Sequence, residues 1–171
     1  GYRILGYRHH YVQYLGGAAM ADDKIAEIQN GEGKTYTILL PAFLHSLYGK
    51  QVHIMDSSQY LTQRNYHWMR GVLEYLGCRV GLLNEAAALT EKKMEHLNSC
   101  HVIYENLNAP FLRLRHELGE YSSLPRYDVL IADEADQLLI SQCDAPIILT
   151  ASKESKNILP LLKMAYNIIA E

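Results

Sequence analysis

The sequence predicts an α/β fold in three layers, with helices on both faces of a mostly parallel sheet. Three observations carry that expectation. Short apolar runs alternate with longer stretches of helical periodicity, the order that βαβ units leave in a sequence. The run Gly31-Glu32-Gly33-Lys34-Thr35 lies between an apolar stretch, 24–28, and a helical stretch, 36–47. A buried-strand pattern at 127–132 leads straight into Asp133-Glu134-Ala135-Asp136.

Taken in order, the strand candidates are 24–28, 51–55, 79–83, 100–104, 127–132 and 146–150. The helix candidates are 34–48, 58–76, 90–97, 108–118, 134–140 and 156–170. Gly49 and Gly77 stand where two of these helices should stop, since glycine takes the left-handed cap conformation without a Cβ penalty. Ser57 or Ser58 can supply the oxygen that caps the helix at 58–76. Leu124-Pro125-Arg126 leads into the strand before the acidic tetrad. Near the end, Ile158, Leu161, Leu162, Ala165, Ile168 and Ile169 recur at helical spacing after a polar turn, 152–155. The division expected is therefore one domain, 1–150, followed by an amphipathic helix within 151–171.

Length and composition narrow the function classes. The 171 residues suffice for one domain with a sizeable core. A net charge of −3 gives no electrostatic case for nucleic acid, and no nucleic-acid partner is expected. Cys78, Cys100 and Cys143 are odd in number and form no CxxC pair; Cys78 and Cys100 border apolar runs and read as core thiols, which fits a reducing cytoplasm. No stretch approaches the roughly 18 apolar residues of a membrane span, and no signal peptide is visible. The eight histidines show no ligand spacing, the thirteen tyrosines are scattered, and no GxSxG is present. The chain starts at Gly1 rather than Met, which fits a processed or partial chain.

The two motifs carry chemistry of one kind. Strand, glycine turn, Lys-Thr, helix is the build of a phosphate loop. Glycines let backbone N–H groups curl around phosphate oxygens, Lys34 reaches the β/γ-phosphates, and the Thr35 hydroxyl can hold Mg²⁺. The following helix points its positive end at the anion. The full pattern has a glycine where this chain has Ile28. Carboxylates at the end of a parallel strand are where nucleotide enzymes hold Mg²⁺, so Asp133 is the candidate metal ligand and Glu134 the group that activates water. The tetrad also reads as an acidic helix N-terminus, and both readings can hold together. Gln13 carries an amide that donates and accepts at once, as reading an adenine edge requires; without context it reads as a surface glutamine. Gln63-Arg64 falls near the edge of the sheet where ligands bind, or on a solvated helix face.

The stretch Tyr7-Arg8-His9-His10-Tyr11-Val12-Gln13-Tyr14-Leu15-Gly16-Gly17 resembles the segment that carries the adenine-reading glutamine in SecA, the bacterial preprotein translocase ATPases. Lys24-Ile25-Ala26-Glu27-Ile28-Gln29-Asn30-Gly31-Glu32-Gly33-Lys34-Thr35 is similar to the SecA phosphate loop, and its Ile-Ala-Glu and Gly-Glu-Gly-Lys-Thr are specific to that family. Tyr60-Leu61-Thr62-Gln63-Arg64 and Asp133-Glu134-Ala135-Asp136-Gln137-Leu138-Leu139-Ile140 resemble two further SecA motifs, and the likeness runs collinearly from about Tyr7 to about Thr150. The resemblance implies a RecA-like P-loop NTPase fold with ATP and Mg²⁺ as cofactors. It implies that Gln13 reads adenine, that Gly31, Glu32, Gly33 and Lys34 hold the phosphates, that Thr35 and Asp133 hold the metal, and that Glu134 and Lys34 are catalytic. It also implies ATP hydrolysis coupled to preprotein export through a SecY-type channel, by a cytoplasmic protein peripheral at the inner face of the plasma membrane. An anionic membrane surface and a second copy in a homodimer are further partners to be expected.

The chain departs from the family at three places. Asn30 replaces a threonine of the phosphate loop, 103–113 has lost most of an Asn-rich motif, and 143–147 lacks an arginine that follows the acidic box. The family's second RecA-like domain, with its arginine finger, falls outside these residues. Such a finger is worth about 10³–10⁵ in rate, so weak binding and very slow turnover are expected of the chain alone. Two rivals share the fold: a nucleic-acid helicase, because the tetrad spells Asp-Glu-Ala-Asp, and a degenerate interaction module without catalysis.

Overall fold

The computed structural model describes residues 2–83, 90–106 and 123–141. Four strands, β1 (Val52–Asp56), β2 (Val80–Leu82), β3 (Val102–Asn106) and β4 (Val129–Ala132), form one parallel sheet in the order β2-β3-β1-β4. Val52 of β1 stands level with Val102 on one side and Val129 on the other. Side chains alternate across a strand, so the sheet has two faces of different use. Val52, Ile54, Val102, Tyr104 and Ile131 pack with Ile38, Leu39 and Ala42 of α3 (Lys34–Leu47) and Met69, Val72 and Leu73 of α4 (Gln59–Tyr75). Ile103 faces the other way, into a smaller cluster with Leu83, Cys100 and Met94 and Leu97 of α5 (Glu91–Ser99). Helix, parallel sheet, helix is the three-layer α/β arrangement expected of the sequence.

Local signals set most boundaries. Ser58 caps α4 by accepting from the Leu61 N–H, and Thr90 caps α5 by accepting from Lys93 N–H. β3 begins two residues later than its apolar pattern, because Cys100 is still the C-cap of α5. After β4 the chain makes a helical turn whose last five residues, Gln137–Ser141, are π-helical. The candidates 108–118, 146–150 and 156–170, and the division at 151, lie outside the described residues.

Two regions differ from expectation. No helix is expected before the phosphate loop, yet α1 (Tyr2–Leu5) and α2 (Tyr11–Ala21) are there. Within α2 the Gly16-Gly17 pair serves close helix packing. A Cβ on Gly17 would stand 2.9 Å from Leu40 Cδ2 and 3.1 Å from the Thr37 carbonyl of α3. The strand expected at 24–28 does not form. After Asp23, at φ +55°, the chain passes through 24–29 with no regular structure, and Ile25 is 98% exposed. A strand exists only as part of a ladder, and among the described residues β4 pairs with β1 alone and the sheet ends there.

Candidate nucleotide-phosphate site

The site is built from three walls. The first is the loop into α3. Gly31 and Gly33 adopt φ of +91° and +81°, left-handed conformations that glycine enters without penalty. Gly33 caps α3, so Lys34 and Thr35 open the first turn, where backbone N–H groups have no helical partner by position. A side chain at Gly33 would also collide with Gln13, whose Nε2 would lie 2.5 Å from the new Cβ. Lys34 Nζ donates to Asn30 Oδ1 at 3.0 Å, across one turn of the loop.

The second wall comes from the sheet. The Asp133 N–H donates to the Met55 carbonyl at 2.9 Å, which carries the β4 ladder one residue past the strand and fixes where the acidic box begins. Asp133 Oδ1 accepts from the Glu134 N–H at 3.0 Å. Glu134 has a φ of +53°, an uncommon state for a residue with a side chain, and its Oε2 accepts from Ser57 Oγ at 2.9 Å. Burial pushes the Asp133 carboxyl above the usual carboxylate range. The Glu134 N–H opposes the rise, the Glu134 charge adds to it, and the charges of Lys34 and Arg64 oppose it.

The third wall is the first half of α4, which contributes Leu61, Arg64, Asn65 and Trp68. These walls enclose an open cleft of about 280 Å³. Gly31, Gly33, Lys34, Thr35, Asp133 and Glu134 all line it, so most of the sequence-derived site residues meet in one place. Behind them sits Asp56, 1% exposed, with a carboxyl pushed up to about 7 by burial first and then by Asp133.

Gln13 and Glu32 are placed differently. Gln13 is 1% exposed and does not line the cleft. Its Nε2 donates to the Glu32 carbonyl at 2.7 Å and to Tyr7 Oη at 2.9 Å, while its Oε1 accepts from the His10 N–H at 3.1 Å. In this arrangement the amide buttresses the phosphate loop from behind. Glu32 lines a neighbouring groove of about 510 Å³ between α2 and 26–29.

The donor set suits Mg-nucleotide. Among the described residues no group of three His, Cys, Asp or Glu side chains could hold a metal ion by itself. Mg²⁺ is commonly held by one or two carboxylates with substrate phosphates and waters, and Asp133 with Thr35 matches that need. A cationic loop facing acidic residues across a cleft matches the phosphates on one side and the metal on the other.

The profile of the SecA DEAD-like domain family matches residues 1–170. The chain belongs to the SecA DEAD-like domain family. Among curated relatives, a protein translocase subunit SecA of Diacronema lutheri is 40% identical over 159 residues, 91% of this chain and 18% of that protein. The SecA subunits of Microcystis aeruginosa and Cellvibrio japonicus are 36% and 35% identical over 88% and 91% of this chain, and over 16% and 17% of their own lengths. The chain thus spans less than a fifth of the length of these relatives. With the fold above, this SecA-type domain is RecA-like α/β. Among the described residues no helix is long and apolar enough to cross a membrane.

Sequence reasoning missed Asp56, Asn65 and Trp68 and left Arg64 open. The QR pair and its place at the ligand-binding edge of the sheet were the available signal for Arg64. Nothing in the sequence marks Asp56 as different from any residue ending a strand.

Proposed function

We propose that this chain binds Mg·ATP in the cleft between α3, β4 and α4. In the longer SecA-type protein, hydrolysis there would drive preprotein through a SecY-type channel from the cytoplasmic side of the membrane. The observation that supports this reading best is that Lys34 and Thr35 share one cleft with Asp133 and Glu134, on two walls built independently from helix and sheet.

The backbone of 31–35 cradles phosphate oxygens, and Lys34 leaves Asn30 to neutralise the β/γ-phosphates. Thr35 and Asp133 would hold the metal, and Glu134 would accept a proton from the attacking water, its carboxylate steadied by Ser57. A metal held there would supply positive charge beside the phosphates. Gln13 would read adenine by exchanging its bonds to Tyr7 and the Glu32 carbonyl for the base edge. An arginine finger would come from elsewhere in the longer protein, so turnover by this chain alone is very slow. A homodimer and contact with anionic lipid are part of the same proposal and follow from the family.

Calorimetric titration with Mg·ATP tests it. The parent chain and Glu134→Gln should bind alike, and Lys34→Ala should bind at least roughly tenfold more weakly, as expected for loss of a charged contact to phosphate. Equal binding by parent and Lys34→Ala would sink the proposal.

A further inference from the structure

We propose that Asp56 is a positioning residue which, through Asn65, holds Arg64 as a second cation for the polyphosphate of a bound nucleoside di- or triphosphate. This rests on the phosphate-site reading above and adds a subsite to it.

The chain of contacts runs from the core to the cleft. Asp56 ends β1 and Asn65 lies in the second turn of α4, and both are buried, at 1% and 2% exposure. Asn65 Nδ2 donates to Asp56 Oδ1 at 2.8 Å. That bond fixes which way the Asn65 amide points, so its Oδ1 is turned to Arg64. There it accepts from Nε at 3.3 Å and from Nη2 at 3.1 Å. On its other side the Arg64 guanidinium lies 5.1 Å from the centre of the Trp68 ring. Arg64, Asn65 and Trp68 line the same cleft as Lys34 and Thr35.

The arrangement is costly for a merely structural pair. Among the described residues Asp56 Oδ2 is buried without a hydrogen-bond partner, and burial beside Asp133 disfavours its charge. Among the described residues, Asn65 first and then Arg64 favour the ionised form. A half-exposed arginine needs no buried carboxylate two residues removed to remain solvated. What the chain of contacts gives is a guanidinium already ordered, so that its side-chain entropy is not lost when phosphate binds. Lys34 and Arg64 then face the same cleft from separate helices, and each acts on the Asp133 charge. The planar fork needs both Nε and Nη2, which lysine cannot supply.

The test titrates the 171-residue chain with Mg·ADP and with AMP, comparing parent, Lys34→Ala, Arg64→Leu, Asn65→Leu and the Arg64→Leu/Asn65→Leu double variant. Arg64→Leu should weaken ADP roughly tenfold and AMP less than about twofold, as for loss of one charge-assisted contact beyond the first phosphate. Asn65→Leu should weaken ADP by about three- to fivefold. The double variant should be no weaker than Arg64→Leu, because Asn65 acts only through Arg64. If Asn65→Leu does not fold, Asp56→Asn keeps the shape and the acceptor but drops the charge, and should weaken ADP by about twofold. Equal losses on ADP and AMP, or losses that add in the double variant, would overturn the inference. Loss of ADP binding in Lys34→Ala with parental binding in Arg64→Leu overturns this inference alone. Parental binding in Lys34→Ala overturns the underlying reading with it.

Discussion

Residues 24–28 and 129–132 invite comparison, because each is a short apolar run that delivers the chain to a functional loop. Only the second is a strand. Val129–Ala132 pairs residue for residue with β1, Ile131 is 7% exposed, and the ladder continues into Asp133. In 24–28 there is no ladder. Ile28 packs over Gly16, and Ile25 is 98% exposed. The two halves of the site are therefore held by different forces. Asp133 and Glu134 are placed by backbone hydrogen bonds across a sheet. Lys34 and Thr35 are placed by the close packing of α2 on α3 and by one buried amide, Gln13, tied to the Glu32 carbonyl. The lesson is that an apolar run records a need for burial, whereas its conformation is set by what lies beside it.

The comparison can be broken most forcefully in the cores of the two runs. Ile131→Ala should cost about 2–5 kcal/mol of unfolding free energy in urea, the usual loss for a buried branched side chain. Ile25→Ala should stay within about 0.5 kcal/mol, as for an exposed site. Equal costs would mean that 24–28 is as well packed as β4.

The acidic-box half has a pH signature of its own. Burial first, and then Asp133, push the Asp56 carboxyl up to about 7, whereas in the unfolded chain it titrates near its ordinary 3.8. The folded state therefore holds a proton that the unfolded state releases, and stability falls as pH rises from about 4 to about 7, then levels. Asp56→Asn should remove that fall. In Mg²⁺-free buffer its stability advantage should grow by about 4 kcal/mol through this window and level by pH 8. An advantage independent of pH, read by thermal melts from pH 4 to 8, would contradict it. A carboxylate kept at such a cost fits the role assigned to it in ordering Arg64.

The loop half is sharpened by Gly33→Ala. The left-handed φ alone costs a residue with a Cβ about 1–2 kcal/mol, and the new methyl meets the Gln13 amide. A loss of that size in denaturant unfolding, with weaker Mg·ADP binding than the parent, is the expected outcome. An unchanged affinity would show that the Gln13 contact to the loop does not govern the phosphate site.

Much of this was legible in the sequence for stated reasons. The Gly-Lys-Thr turn and the acidic box are local motifs whose backbone demands are written in residue type, so Gly31, Gly33, Lys34, Thr35, Asp133 and Glu134 could be named and do share a cleft. Gly49 and Gly77 mark helix ends because their left-handed φ is a local requirement. The Gln13 environment was not legible, since its partners Tyr7 and Glu32 are brought to it only when α2 folds against α3. The same holds for Asp56 and Asn65, nine residues apart, whose meeting depends on how α4 returns across the end of β1.

The sequence by itself determined the layered α/β class, the parallel order of strand and helix, and the chemistry of the two loops, because periodicity, caps and phosphate-loop geometry are short-range physics. Tertiary structure alone decided that 24–28 stays out of the sheet, that a glycine pair lets α2 pack closely on α3, and that a buried aspartate reaches Arg64 through Asn65. Those outcomes depend on which distant groups arrive to complete a ladder, fill a gap or satisfy a buried charge, and no local pattern encodes the partner.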